Sequence, residues 1–187
     1  DKPIAITPED FEALKEAFIA ADSIGVILYD IMTERSEITT ILQRELSMIP
    51  EVFGELVEGT EENPAVTKES VHHFFKYVSG EPLQRPAWYF DTDQQGEGIV
   101  DVTTHLVDLI MWECFPGESI DYQQDINILN ADRWATEITP EQFEKVTGVS
   151  EFPDYLRDDV EDDVLRVYAN GEINYTLRDV HATVSVI

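Results

Sequence analysis

The stretch Gly98-Ile99-Val100-Asp101-Val102-Thr103-Thr104-His105-Leu106-Val107-Asp108-Leu109-Ile110-Met111-Trp112 decides how this chain is read. Its apolar residues run nearly all round a helix, so the helix is expected to be buried. Yet Glu97, Asp101, Thr104, His105 and Asp108 fall on one narrow stripe, at i, i+4 and i+7 spacings. Burying ionisable groups costs on the order of several kcal/mol unless they are paired or face a wet cleft. Two readings follow. The stripe walls a cleft, in which a carboxylate one turn before a histidine orients the imidazole for proton transfer. Or it is a core histidine held by a carboxylate of its own helix.

Working outward, Thr7-Pro8-Glu9-Asp10 is a helix start, with a Thr cap, a proline at the first position and acids in the first turn. Ser23-Ile24-Gly25 closes that helix, and Val26-Ile27-Leu28-Tyr29 reads as a buried strand. Residues 31–57 read as helical, with a break at Pro50. Residues 71–78 and 85–90 read as strands, with a turn at Ser79-Gly80-Glu81-Pro82. On the C-terminal side, residues 122–129 read as a strand and Thr139-Pro140-Glu141-Gln142 caps a short helix. Residues 164–168 and 173–177 read as a hairpin around Asn170-Gly171, and residues 180–187 as a further strand. The predicted fold class is α+β, a mostly antiparallel open sheet with helices on one face.

Composition narrows the function. The 187 residues carry 39 acids against 12 Lys and Arg, a formal net charge of -27. Nucleic acid and anionic membrane surfaces are poor partners for such a chain. No apolar run approaches the ~20 residues of a membrane span. Cys114 is the only cysteine, which excludes an internal disulfide and a cysteine-based zinc site. Its setting, Trp112-Glu113-Cys114-Phe115, fits a buried structural thiol.

Other chemistry-bearing residues have plainer readings. His72 and His73, on a predicted strand, point to opposite faces and make no metal pair; no metal is expected. The acidic run at residues 158–163 lacks the spaced ligands and glycine of a calcium loop and reads as solvated. Trp88 and Tyr89 either pack in the core or stack on a substrate. Arg35 either contacts substrate or binds a carboxylate on the next helix.

Asp1-Lys2-Pro3-Ile4, then a helix and an apolar run, and farther on Gly96-Glu97-Gly98 before Asp101, His105 and Asp108, together resemble the Gfo/Idh/MocA oxidoreductases. Those proteins carry a Glu-Lys-Pro motif near the end of a Rossmann domain; here Asp1 stands in place of the Glu. The likeness runs over most of the chain, more loosely after Asp121, and is greatest to C-terminal domains of oxidoreductases. It implies that residues 1–32 are the terminal segment of a truncated dinucleotide-binding domain and 33–187 a substrate-binding and oligomerisation domain. It further implies hydride transfer between NAD or NADP and a sugar or polyol derivative. His105 would be the general acid/base, Asp101 its neighbouring carboxylate, and Lys2 would lie near both nicotinamide and substrate oxygen, with Pro3 beside it. Asp108, Thr104, Arg35 and Trp88 would line the substrate. The same resemblance implies a homo-oligomer formed through the sheet.

No Gly-x-Gly-x-x-Gly follows a strand anywhere, and Gly96 and Gly98 lack a third glycine and a βαβ context. The chain by itself is therefore expected to bind NAD(P) poorly and not to turn over. The alternative reading is a non-catalytic carbohydrate-binding or protein-interaction domain on the same fold. The sequence leaves substrate identity, NAD against NADP, and compartment open, with cytoplasm as the default.

Overall fold

The computed structural model of the chain describes residues 4–71 and 74–187. Helix α1 (Pro8–Ser23) starts where its capping signal predicts, with the Thr7 side chain accepting from the Asp10 amide. The apolar run after it is not a strand. Residues 26–29 pair with no described strand, and Ile27 is 83% exposed. Hydrophobicity alone cannot make a strand; a neighbouring backbone must supply the hydrogen bonds.

Residues 31–57 are three pieces rather than one helix: a 3₁₀ turn (Thr33–Ser36), α2 (Ile38–Ser47) and α3 (Pro50–Phe53). The second break falls at Pro50, as the missing amide hydrogen requires. Strand β1 (Val66–Ser70) lies before the predicted strand. Strands β2 (Tyr77–Val78) and β3 (Glu81–Pro82) form a small hairpin through Ser79-Gly80, the turn expected there. The aromatic run is a 3₁₀ turn (Ala87–Phe90), not a strand. Short α4 (Thr92–Gln95) leads to α5 (Ile99–Cys114), the helix at the centre of the sequence analysis.

Beyond α5 come β4 (Ile126–Ile138), α6 (Pro140–Thr147), a 3₁₀ turn (Asp154–Asp159), β5 (Val160–Glu161), β6 (Val164–Leu177) and β7 (Val180–Val186). Helix α6 carries a full capping box, Thr139 and Gln142 each bonding the other's backbone amide. The sheet runs β1-β7-β6-β4, with β5 pairing β6. Among the described residues only the β1–β7 pair is parallel, so the fold is α+β with a mixed, mostly antiparallel sheet.

Asn170-Gly171 is not a turn. It lies inside the unbroken β6, beside a register shift that leaves Ala169 as an extra residue opposite Trp134 and Ala135. The true turns are Arg178-Asp179, between β6 and β7, and Asp162-Asp163, between β5 and β6. Asp162 and Asp163 both have positive φ (51° and 63°), which short Asp side chains tolerate. Part of the acidic run is therefore a hairpin turn.

Gly171 serves close approach instead. A Cβ there would lie 2.6 Å from the Asp132 carbonyl oxygen and would run into the Ile99 side chain. Glycine at this point lets the first turn of α5 rest directly on β6. Two clusters form the core. One joins Ile138, Leu165 and Val167 of the sheet to Phe143 and Val146 of α6. The other sets Ile110 of α5 on Tyr175, Leu177, Ala182 and Val184. Each buried Val, Leu, Ile or Phe among them contributes ~1.5–3 kcal/mol of apolar burial. This packing fixes α5 across β6, β7 and β1, and so fixes where its polar stripe can point.

Candidate active site

The polar stripe of α5 is divided among several partners, each reached from a different part of the chain. At its N-terminal end, Glu97 pairs with Arg133 of β4, whose guanidinium also lies 4.6 Å from the centre of the Tyr168 ring. Off the stripe, near the C-terminal end of α5, Glu113 takes Lys68 of β1 at 2.8 Å. Gln43 of α2 donates to the same Glu113 carboxylate. The Lys68–Glu113 pair is largely buried and ties α5 to the sheet. These contacts are structural; the residues between them form the candidate site.

Asp101 accepts a hydrogen bond from the Tyr89 hydroxyl at 3.0 Å. The Tyr89 ring packs against Phe74 and Phe90, and the Arg85 guanidinium stands 4.3 Å over its centre. Burial, reinforced by the Asp101 charge, pushes the Tyr89 phenol up to about 12. It therefore remains a donor at neutral pH, and Asp101 is held as its acceptor.

One turn on, His105 presents Nδ1 to Glu34 Oε2 at 2.8 Å. This is an ion-pair contact by distance rather than a linear hydrogen bond. Glu34 sits on the Thr33–Ser36 turn, 71 positions away in sequence. Its neighbour Arg35 grips Asp108 with a fork: Nε donates to Oδ2 at 2.7 Å and Nη2 to Oδ1. The Asp108 carboxylate holds the Arg35 guanidinium above its usual range, opposed by partial desolvation. Two adjacent residues of one turn thus meet two residues of α5 that are one helical turn apart.

The predicted site residues fare differently. His105, Asp101 and Asp108 do share one face of α5. Arg35 binds a carboxylate, as one of its two readings held: it and Asp108 of α5 are engaged with each other. Thr104 donates its hydroxyl to the Val100 carbonyl at 2.7 Å. Trp88 is 47% exposed on the surface of its turn. Lys2 and Pro3 lie outside the described residues, as do His72 and His73. An open hollow walled by Ala5, Ile6, Thr92, Gly96, Glu97 and Val100 lies at the N-terminal end of α5.

Sequence reasoning missed Glu34 and gave Tyr89 only a packing or stacking role. Nothing local marks Glu34, because its partner is supplied by a distant helix. Tyr89 was read on a strand; the 3₁₀ turn re-aims its hydroxyl. Cys114 is partly buried, and desolvation, with the Glu113 charge adding to it, pushes its thiol up to about 11, which fits an unreactive packing role. Among the described residues no group of three or more His, Cys, Asp or Glu is placed to hold a metal ion. No described helix is long and apolar enough to cross a membrane.

Comparison with known proteins agrees with an oxidoreductase origin. Residues 42–187 match the family described as "putative oxidoreductase C terminal domain". The chain is similar to a solved structure described as a putative oxidoreductase from Parabacteroides merdae ATCC 43184. The two are 58% identical, with a TM-score of 0.94. The match covers 100% of this chain and 43% of that one, so the chain spans less than half the length of that relative. No curated protein matches the chain.

Proposed function

Because the chain belongs to the putative oxidoreductase C-terminal domain family, we propose that it is the substrate-side part of an NAD(P)-dependent dehydrogenase of the Gfo/Idh/MocA type. In this reading residues 33–187 form the substrate and oligomerisation domain, and residues 1–32 are the end of a dinucleotide-binding domain. The substrate is a sugar or polyol derivative. The observation that carries the reading is His105, the one histidine on the α5 stripe, braced by Glu34 beside an Asp101 that Tyr89 holds.

A histidine braced by a carboxylate can take the proton of a substrate hydroxyl and return it in the reverse direction. The Asp101 carboxylate can accept a hydrogen bond from a neighbouring hydroxyl, and the exposed Trp88 ring offers a flat surface to a sugar. The described residues do not build a dinucleotide cradle. Residues 26–29 have no described strand beside them, and the Gly96 and Gly98 loop leads into a helix that follows short α4 rather than a strand. The dinucleotide is assigned to the remainder of a longer protein, and this chain alone is expected to be inactive. The exposed apolar segment around Ile27 and Ile31 is where that remainder would pack. A second copy would pair on the sheet, where Ile128 and Trp134 of β4 are exposed.

The test uses the full-length protein, NAD+ and NADP+, and a panel of aldoses, hexuronates and linear and cyclic polyols, read as reduced nicotinamide absorbance. The expected result is turnover with at least one member, cut ~10²–10⁴-fold by His105→Ala. Dinucleotide binding without turnover on any member, together with sugar binding that survives His105→Ala, would replace this reading with a carbohydrate-binding domain.

A further inference from the structure

We infer that Glu34 is the positioning residue of the proton-transfer site: it holds the His105 imidazole by Nδ1, so that Nε2 is the nitrogen that exchanges a proton with substrate. This rests on the dehydrogenase reading of His105 above. It assigns the orienting role to a carboxylate on the Thr33–Ser36 turn, in place of the same-helix Asp101 expected from spacing.

Three observations carry it. The first is the 2.8 Å approach of Glu34 Oε2 to His105 Nδ1. A carboxylate can only accept. The contact is a close charge contact rather than an aligned hydrogen bond: a bare Nδ1 carries partial negative charge, which a carboxylate at that distance repels. The contact therefore favours a proton on Nδ1, which leaves the lone pair of the neutral ring on Nε2.

The second is that Glu34 is not free to leave. The neighbouring Arg35 locks the turn to α5 through the two-pronged grip on Asp108. Asp108 is one helical turn beyond His105, so the fork sets the distance at which Glu34 meets the ring. A single exposed Glu would lose side-chain entropy in making this contact; the fork reduces that loss by fixing the turn beforehand. The third is the placement of the other carboxylate. Asp101 is engaged by the Tyr89 hydroxyl. Asp101 and Asp108 flank His105 on its own helix, Glu34 and Arg35 lie on the turn packed against it, and Glu34 reaches Nδ1 at 2.8 Å.

The chemistry follows from the held tautomer. In the oxidative direction the substrate O–H bond breaks and an Nε2–H bond forms. The imidazolium that results has both nitrogens protonated, and its positive charge lies beside the Glu34 carboxylate. In reverse, Nε2 returns the proton to oxygen. Glu34 never exchanges a proton; it fixes which nitrogen does.

The experiment is long-range ¹H–¹⁵N correlation spectroscopy on the full-length protein with ¹⁵N-histidine, at pH ~8.5, where an ordinary imidazole is neutral. The His105 signals are identified by their loss in His105→Gln. The wild type is expected to show Nδ1 protonated and Nε2 bearing the lone pair. Glu34→Ala should move the ring toward Nε2–H, and Glu34→Gln, whose amide oxygen can still accept, should keep Nδ1–H. In the nicotinamide absorbance assay, on the panel member that turns over, Glu34→Ala should lower kcat ~10-fold or more with little change in KM, and Glu34→Gln should restore most of it. An Nε2–H ring in the wild type, or a tautomer unmoved by Glu34→Ala, overturns the inference. A tautomer switch in a protein that turns over nothing supports the Glu34 pairing and overturns only the dehydrogenase reading.

Discussion

Removing Arg35 tests whether the fork to Asp108 holds the site together. The Asp108 side chain is 13% exposed and that of Arg35 38%. A fully exposed pair contributes ~0.2–1 kcal/mol, and breaking a buried one costs ~3–5 kcal/mol. This pair lies between, so Arg35→Ala should cost ~2 kcal/mol, because it strands a mostly shielded carboxylate. Asp108→Ala should cost less, ~1 kcal/mol, since the freed guanidinium can turn into water. The double variant should cost about as much as Arg35→Ala alone, leaving a coupling of ~1 kcal/mol. For a chain of this size 1 kcal/mol moves Tm by ~2–4 °C, so Arg35→Ala should lower it by roughly 4–8 °C. The assay is urea unfolding of the four proteins of the cycle, with equal m-values as the check on two-state behaviour. Single effects that add to within ~0.3–0.5 kcal/mol would refute the fork as a coupled element. With it would go the account of how Glu34 is brought to His105.

Three other outcomes are expected. Gly171→Ala should destabilise by ~1–3 kcal/mol, measured by urea unfolding, because its Cβ would meet Ile99 and the Asp132 carbonyl; an unchanged midpoint would mean that α5 does not rest on β6 there. Stability should fall as pH rises from about 9 to 12. Burial raises Cys114 from an ordinary 9.0 to about 11 and Tyr89 from 10.0 to about 12, so between those values the unfolded chain has lost protons that the folded one keeps. Urea midpoints at pH 8 and 10.5 check this, and Cys114→Ala with Tyr89→Phe should flatten the slope. Tyr89→Phe alone should cost ~1.5–3 kcal/mol through the lost bond to the Asp101 carboxylate, visible as a lower urea midpoint at pH 7.

Local chemistry was legible in the sequence wherever one segment sufficed to decide it. Thr7-Pro8 and Thr139-Pro140-Glu141-Gln142 start helices because caps satisfy amides within four residues. Pro50 breaks its helix because it has no amide hydrogen to give. The apolar girth of α5 announced its burial, and the i, i+4, i+7 spacing announced its polar stripe. The α+β class rested on the order of such elements, and the oxidoreductase resemblance on Asp1-Lys2-Pro3-Ile4 together with Gly96-Glu97-Gly98, Asp101, His105 and Asp108.

What the sequence could not decide was any choice that depends on a partner. Val26-Ile27-Leu28-Tyr29 looks like a buried strand, yet no described strand lies beside it, so it is exposed. Asn170-Gly171 has the composition of a turn, but α5 crosses there, and glycine is needed for room rather than for a left-handed backbone. Asp101 stood one helical turn before His105 along the chain, and only the tertiary structure showed Tyr89 engaging it and Glu34 arriving from a turn 71 residues upstream. Capping, proline geometry and helical periodicity act over a few residues and are written into the chain. Strand pairing, close helix approach and the sharing out of buried charges are settled only when distant segments compete for the same space and the same hydrogen bonds.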